Sequence, residues 1–324
     1  MKCGNRFLFF LLTMVLLAAA IACDDSGDDD DSEPADDDSV DDDVVDDDAT
    51  DDDAADDDAA DDDTADDDAA DDDTTTYTGT KAPIVLMHGC GGFGYIGPIA
   101  YFAGVVDDLT EQGYEVFEPG VSPVNTMEER AAQWAEQIDE HFGAGTKINI
   151  IAHSQGGLDA RYLVSTLGWG DRVGAVVMVS TPNRGTVLAD IATGLIPGFA
   201  EDIIDWILNL LGMDWGGITE LTQDYMTDTF NPANPDDPRV AYYSYQVDAA
   251  DNCIWLLEPT HTIIGLFDGA NDGIVDDASA EWGTLMGVES ADHMSIIGQP
   301  VGFADFDHLG FYRGIAANLR EGGF

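Results

Sequence analysis

The chain has 324 residues, with 66 Asp and Glu against 11 Lys and Arg, a formal charge of −55 at pH 7. That balance excludes binding to nucleic acid or to an anionic membrane through charge. Four cysteines in a chain of this length do not make a disulfide framework.

The charge is unevenly placed. Residues 24–73 hold 31 of the acids, and the residues from 74 onward hold 35 against nine Lys or Arg. Residues 1–22 read as a leader. Lys2 and Arg6 flank the start of an apolar run, Phe7–Ala19, too short for a comfortable membrane span and suited to a signal peptide. It ends Ala20-Ile21-Ala22-Cys23, which resembles a bacterial lipobox. The resemblance implies that Cys23 is lipidated and holds the protein to the cell envelope, at the outer membrane or cell surface; ordinary cleavage and secretion is the alternative. Residues 23–80 then read as a disordered linker. Eight Asp triplets recur every five residues from Asp36 to Asp71. With so little to bury and so much like charge, no core can form, and DDDAA offers no hydrophobic face to stack. The tract is expected to be an extended, solvated tether. It lacks the Gly and the closing Glu of an EF-hand calcium loop.

Residues 81–324 read as one catalytic domain. Ala82–His88 (APIVLMH) is an apolar strand that runs into His88-Gly89-Cys90-Gly91-Gly92-Phe93-Gly94. Glycines after a buried strand let backbone N–H groups approach a developing oxyanion, and the Cys90 N–H is the candidate donor. No G-K-[ST] closes the loop, which argues against phosphate binding. A helix near Tyr101–Gln112, a strand at Tyr114–Pro119 and a helix at Thr126–Phe142 follow. The last places Met127, Ala131, Trp134, Ile138 and Phe142 on one face.

Lys147–Tyr162 (KINIIAHSQGGLDARY) organises the rest. It reads as a buried strand, a tight turn carrying Ser154, then a helix. Ala152-His153-Ser154-Gln155-Gly156 fits the small-x-Ser-x-Gly pattern of a nucleophile elbow, whose small residues let strand and helix approach. Ser154 is the candidate nucleophile, and the Gln155 N–H is the second candidate oxyanion donor. Cys90 as a thiol nucleophile is set aside because Ser154 occupies the elbow. After the elbow helix comes the strand Val173–Ser180, closing at Thr181-Pro182-Asn183-Arg184-Gly185-Thr186. Strands alternating with helices imply an α/β fold, a mostly parallel sheet with helices on both faces.

Residues 187–230 break the alternation. Ile203, Ile204, Trp206, Ile207, Leu208, Leu210 and Leu211 crowd one segment with a broad apolar face. A helix packed in the core is one reading. A lid over about 187–230 with an apolar underside is the expected one. Strands are expected at Arg239–Val247 and His261–Phe267, and a closing helix near His308–Leu319.

A serine hydroxyl needs a histidine to take its proton, and the histidine needs a carboxylate to fix its tautomer. The hydrolase order of Ser, acid, His leaves His293 and His308 as candidate bases. Asp272, in the turn Asn271-Asp272-Gly273, is the favoured acid, with Asp268, Asp276 and Asp277 as alternatives.

At these residues the chain resembles the bacterial true lipases, the triacylglycerol lipases of Pseudomonas, Burkholderia and thermophilic Bacillus type. The matches are PIVLMHG at Pro83–Gly89, INIIAHSQGG at Ile148–Gly157, STP-x-x-GT at Ser180–Thr186, NDGIV at Asn271–Val275, DHMSIIG at Asp292–Gly298 and FYR at Phe311–Arg313. The resemblance implies an α/β-hydrolase fold with a helical lid, carboxylic-ester hydrolysis, Ser154 as nucleophile, Asp272 as acid and His293 as base. It leaves His308 on the closing helix. It also implies a structural Ca²⁺ beside the histidine loop. The acidic residue that the family carries two positions after the histidine is Ser295 here, which leaves Glu258 and Gln299 as candidate ligands. The family's zinc-binding insertion has no room between Asn125 and Gly145, and its disulfide has no counterpart after Asp272. No cofactor is needed for the chemistry. The expectation is a triacylglycerol lipase acting on ester or lipid at an interface through an acyl-enzyme; whether it requires a foldase stays open. A short-chain esterase or polyester depolymerase on the same triad is the first rival. An inactive hydrolase-fold surface protein is the second.

Overall fold

Six parallel strands form the central sheet in the order β4-β1-β5-β6-β7-β8, in a computed structural model of the protein. It describes residues 79–324 except 93–94, 97–98, 124, 212–214, 251 and 300–305. The leader, Cys23 and the Asp tract lie outside the described residues. The sheet strands are β1 (Ile84–Met87), β4 (Val116–Phe117), β5 (Ile148–His153), β6 (Val173–Val179), β7 (Ala241–Val247) and β8 (Thr284–Glu289). A two-stranded antiparallel hairpin, β2 (Tyr95–Ile96) with β3 (Ile99–Ala100), follows β1.

β1, β5 and β6 are apolar on both sides because both sides are covered. On one face, Ile84, Leu86, Ile151, Val177 and Val179 pack with Val105 and Leu109 of α1 (Val105–Glu111) and with Tyr312, Ile315 and Leu319 of α7 (His308–Glu321). On the other, Val85, Met87, Ile150, Ala152, Val176 and Met178 pack with Trp134 and Ile138 of α2 (Met127–Phe142) and with Ala160, Leu163 and Val164 of α3 (Gln155–Ser165). The period-two alternation along each strand thus divides its side chains between two cores. α2 starts at a capping box in which the Thr126 hydroxyl accepts from the Glu129 N–H and the Glu129 carboxylate from the Thr126 N–H. These elements match the sequence expectation: an α/β-hydrolase sheet with helices on both faces.

A third core carries the 187–230 segment. Every residue of α4 (Val187–Ala192) is buried. α5 (Glu201–Leu211) buries Ile207, Leu208 and Leu211 and turns its acidic residues outward. α6 (Glu258–Phe267) closes the same core through Ile264. The segment is therefore not one uniform cover: α4 is core, and α5 is the amphipathic piece.

One expectation is corrected, and one strand was not expected. His261–Phe267 is not a strand but the C-terminal part of α6. Its β-branched pair suggested a strand, yet Thr260 and Ile264, four apart, are the buried residues, while Leu266 and Phe267 are exposed. Pro259 in the first turn suits a helix start. The strand beside β7 is Thr284–Glu289 instead. It is an edge strand with no fully buried residue, and its Leu285, Met286 and Val288 are exposed, so they form no alternating buried pattern.

Candidate active site

Ser154 stands between β5 and α3 with φ 55° and ψ −134°, a conformation that non-glycine residues rarely adopt. Its N–H donates to the Val179 carbonyl at 3.0 Å, fixing the turn to the end of β6. The turn needs small neighbours. A Cβ on Gly156 would lie 2.4 Å from the Met87 carbonyl oxygen, because α3 packs directly on the end of β1. Gln155 opens α3, so its N–H has no acceptor within the helix.

The glycine loop after β1 lies against this serine. A Cβ on Gly89 would fall 2.7 Å from Ser154 Cβ and 3.1 Å from Ser154 Oγ. The loop is gripped from behind by Arg130 of α2, a fully buried arginine. Its guanidinium donates to the carbonyls of His88 (2.7 Å), Gly89 (3.3 Å) and Ser122 (2.6 Å), and to Asp159 Oδ2 of α3 at 2.8 Å. The Trp134 indole N–H donates to the same carboxylate oxygen at 3.0 Å. Burial raises the Asp159 carboxyl, with Arg130 and Trp134 opposing. In a trans peptide the N–H lies opposite the carbonyl. With the Gly89 carbonyl held by Arg130, the Cys90 N–H faces away from it. His88 helps: its Nδ1–H donates to the Gly89 carbonyl at 2.9 Å and its Nε2 accepts from the Val121 N–H at 3.1 Å. Burial and the adjacent Arg130 hold His88 down at about 3, so it is neutral whenever the protein is folded near neutral pH. Burial pushes the Cys90 thiol up to about 11, which is unsuited to a thiolate nucleophile. Cys90 and Cys253 are free thiols and do not pair.

The candidate acid and base meet on the other side. His293 Nδ1 lies 2.6 Å from Asp272 Oδ2, which places the ring proton on Nδ1 and leaves Nε2 as the basic nitrogen. The His293 N–H also donates to the Asp272 carbonyl at 3.0 Å. Asp272 Oδ1 accepts from the N–H groups of Ile274 (2.8 Å) and Val275 (2.7 Å), the turn bonds that the Asn-Asp-Gly sequence supports. Among the described hydrogen bonds none joins Ser154 Oγ to His293, a looseness common before substrate binds. The ring of the neighbouring His153 packs beside His293, with centroids 4.4 Å apart. Burial, then the charge of His293, holds His153 well below the usual histidine range; its Nδ1 pairs with the Tyr101 hydroxyl at 2.8 Å.

The other candidates are engaged elsewhere. His308 Nε2 donates to the Ala103 carbonyl at 2.8 Å. Asp276 caps a short helix through the Ser279 N–H, and Asp268 accepts from Gln223. Neither contacts His293, nor does Asp277. Sequence reasoning passed over Arg130, although a charged residue within the Met127–Trp134 apolar stripe was a signal. It also assigned no role to Ser180, although that residue opens the STP-x-x-GT match at the end of a strand.

The calcium expected from the resemblance does not fit these residues. Asp292 Oδ1 accepts from the Met294 and Ser295 N–H groups, both at 2.9 Å. Its Oδ2 accepts from the Ser295 hydroxyl at 2.8 Å and the Ile254 N–H at 3.3 Å. A calcium ion needs oxygen lone pairs turned towards it; here they face donors. Glu258 is exposed at the start of α6, and the Gln299 amide donates to the Ala100 and Tyr101 carbonyls. Among the described residues no group of three or more His, Cys, Asp or Glu could hold an ion.

Residues 122–222 match the model of a domain family of unknown function, DUF7379. The chain is 26% identical over 283 residues to a triacylglycerol lipase of Vibrio cholerae, covering 76% of this chain and 90% of that protein. It is 40% identical over 123 residues to a triacylglycerol lipase of Pseudomonas fragi, covering 37% and 41%. Its fold resembles the mature form of the lipase BlEst2 of Bacillus licheniformis, with a TM-score of 0.59 at 21% identity over 75% of this chain and 93% of that one. Sheet order, serine turn and these likenesses together give the chain an α/β-hydrolase fold, similar in sequence to triacylglycerol lipases, and make it an enzyme of carboxylic-ester hydrolysis.

Proposed function

We propose that the protein is an exported triacylglycerol lipase that works through an acyl-enzyme on Ser154. The observation that carries this is the 2.6 Å contact between His293 Nδ1 and Asp272, set beside the strained turn of Ser154. His293 Nε2 takes the Ser154 proton as Oγ bonds to the ester carbonyl carbon. The carbonyl π electrons move to oxygen, where the Cys90 and Gln155 N–H groups receive the charge. The tetrahedral species collapses, the C–O bond to the alcohol breaks, and the imidazolium gives that oxygen its proton. Water, deprotonated by His293, then attacks the acyl carbon; the acid leaves and Ser154 recovers its proton. Asp272 keeps the ring proton on Nδ1 and stabilises the imidazolium.

Lipid as substrate rests on α5. The end of this amphipathic helix reaches the glycine loop: a Cβ on Gly91 would lie 3.5 Å from the Leu211 carbonyl oxygen. Lifting α5 would expose Ile207, Leu208 and Leu211 to a lipid surface. Anchoring through a lipidated Cys23 rests on the leader sequence. It predicts a mature N-terminal peptide bearing acyl mass on Cys23, and mass spectrometry finding an unmodified peptide would remove it.

The activity test compares the full chain with Ser154→Ala on p-nitrophenyl butyrate and palmitate, below and above the solubility limit. We expect a rate on palmitate that rises once an interface forms, and a loss of at least about 10³-fold in the variant. A serine-dependent rate confined to soluble short esters would make the enzyme an esterase. Equal rates for wild type and variant would sink the reading.

A further inference from the structure

One buried side chain at this site has no part in the reaction as written. Ser180 follows the last residue of β6 and is 1% exposed. Its φ is 49°, one of three positive values among the described non-glycine residues, and Ser154 is another. A serine held there is strained and persists only because its surroundings fix it. Its N–H donates to the Tyr245 carbonyl at 3.1 Å, so the strained residue is fixed between β6 and β7. The side chain then points at the acid–base pair. Ser180 Oγ bonds to Asp272 Oδ2 and lies 3.0 Å from His293 Nδ1.

The direction of these bonds follows from chemistry. An ionised carboxylate only accepts, so the Ser180 hydroxyl proton goes to Asp272. That leaves an oxygen lone pair facing His293 Nδ1, whose proton already points at Asp272 Oδ2. The ring N–H is therefore shared between two acceptors, and Asp272 Oδ2 between two donors. Val179, the preceding residue, accepts the Ser154 N–H. Two consecutive residues thus grip the nucleophile turn and the acid.

We propose that Ser180 is a positioning residue for the acid–base pair. It fixes the Asp272 carboxylate and the His293 ring in one plane, keeps the ring proton on Nδ1, and draws part of the carboxylate charge away from the imidazole. This rests on the reading of Ser154, Asp272 and His293 given above.

The test uses the full chain with Ser180→Ala, Ser180→Gly and Ser154→Ala on a soluble short ester. Alanine removes the hydroxyl and keeps the backbone strain. Glycine removes the hydroxyl and relieves the strain, so it folds where alanine fails. Both Ser180 variants are expected to lose roughly ten- to hundredfold in kcat, the range for one hydrogen bond to a charged group, with KM within about twofold. The acid limb of kcat/KM is expected to move up by roughly half a unit. Without the competing hydroxyl more carboxylate charge faces the ring, which favours the imidazolium, so activity is lost at a higher pH. The titratable groups around the pair, His153, Cys253, Asp276, Asp277 and Asp292, are the same in all variants, so the displacement reports the hydroxyl. Unchanged kcat in both variants overturns the inference. A lowered kcat with an unmoved limb also overturns it, because that is the signature of packing alone. A Ser154→Ala enzyme as active as wild type overturns the catalytic reading instead, and this inference with it.

Discussion

The two flanks of Ser154 are held by opposite chemistry. On the candidate oxyanion flank the backbone presents carbonyl oxygens to the interior, those of His88, Gly89 and Ser122, and a buried guanidinium, itself held by the Asp159 carboxylate, supplies the donors. On the acid–base flank the groups to be held are carboxylates, Asp272 and Asp292. There turn N–H groups and two serine hydroxyls supply the donors, with no arginine or lysine among them. The difference teaches what sets the partner. Inward carbonyls cannot satisfy one another and need a multivalent donor, whereas a carboxylate in a tight turn finds N–H groups within its own loop. The first arrangement concentrates risk in one side chain, and the second spreads it over several.

That contrast predicts a large, indivisible effect on the first flank. Arg130→Met strands the Asp159 carboxylate in the core and releases three carbonyls, so unfolding in denaturant should show a loss of about 3–5 kcal/mol. Adding Asp159→Leu removes the stranded charge and should recover much of that stability, since a buried pair is often replaceable by apolar groups of similar volume. Activity on a soluble ester should not recover with it. The His88 carbonyl still lacks its guanidinium donor and the Gly89 carbonyl keeps only the His88 ring N–H and the Gly92 N–H, and the loss of one well-placed oxyanion donor costs roughly 10²–10³ in rate. If the double variant regains both stability and rate, the ion pair only fastens the core and the contrast between the flanks disappears.

The sequence disclosed the parts that local rules govern. β1, β5 and β6 could be read because both faces are apolar, and the Ser154 turn because strand, helix and small residues coincide around it. Asp272 was favoured by chain order and its Asn-Asp-Gly turn, but the choice of His293 over His308 needed the resemblance, since both follow the acid in the chain. What stayed hidden was set by distant partners. β8 is an exposed edge strand whose stability comes from its ladder with β7, and α6 buries only one narrow stripe. Ser180 gains its meaning from residues 92 and 113 positions away. Arg130 looked like a break in an apolar face because its acceptors are carbonyls, which leave no trace in a residue pattern.

The smallest expected effect sharpens the second flank. Four donors already surround Asp292, so the loop that carries His293 is expected to hold without a cation. Unfolding temperatures in chelator and in millimolar Ca²⁺ should coincide. A specific site filled to 100 times its Kd would instead add about 2.7 kcal/mol, an easily measured rise. Ser295→Ala removes one neutral donor and should cost about 1 kcal/mol, with its amide and two others still in place. Ser295→Asp puts a second carboxylate where the donor was. The two charges then repel, so this variant should be destabilised in chelator and regain stability when Ca²⁺ is added. A wild-type protein that itself gains stability from Ca²⁺ would show that the lone pairs of Asp292 are available after all. The two flanks would then both depend on a cation, one from a side chain and one from solution.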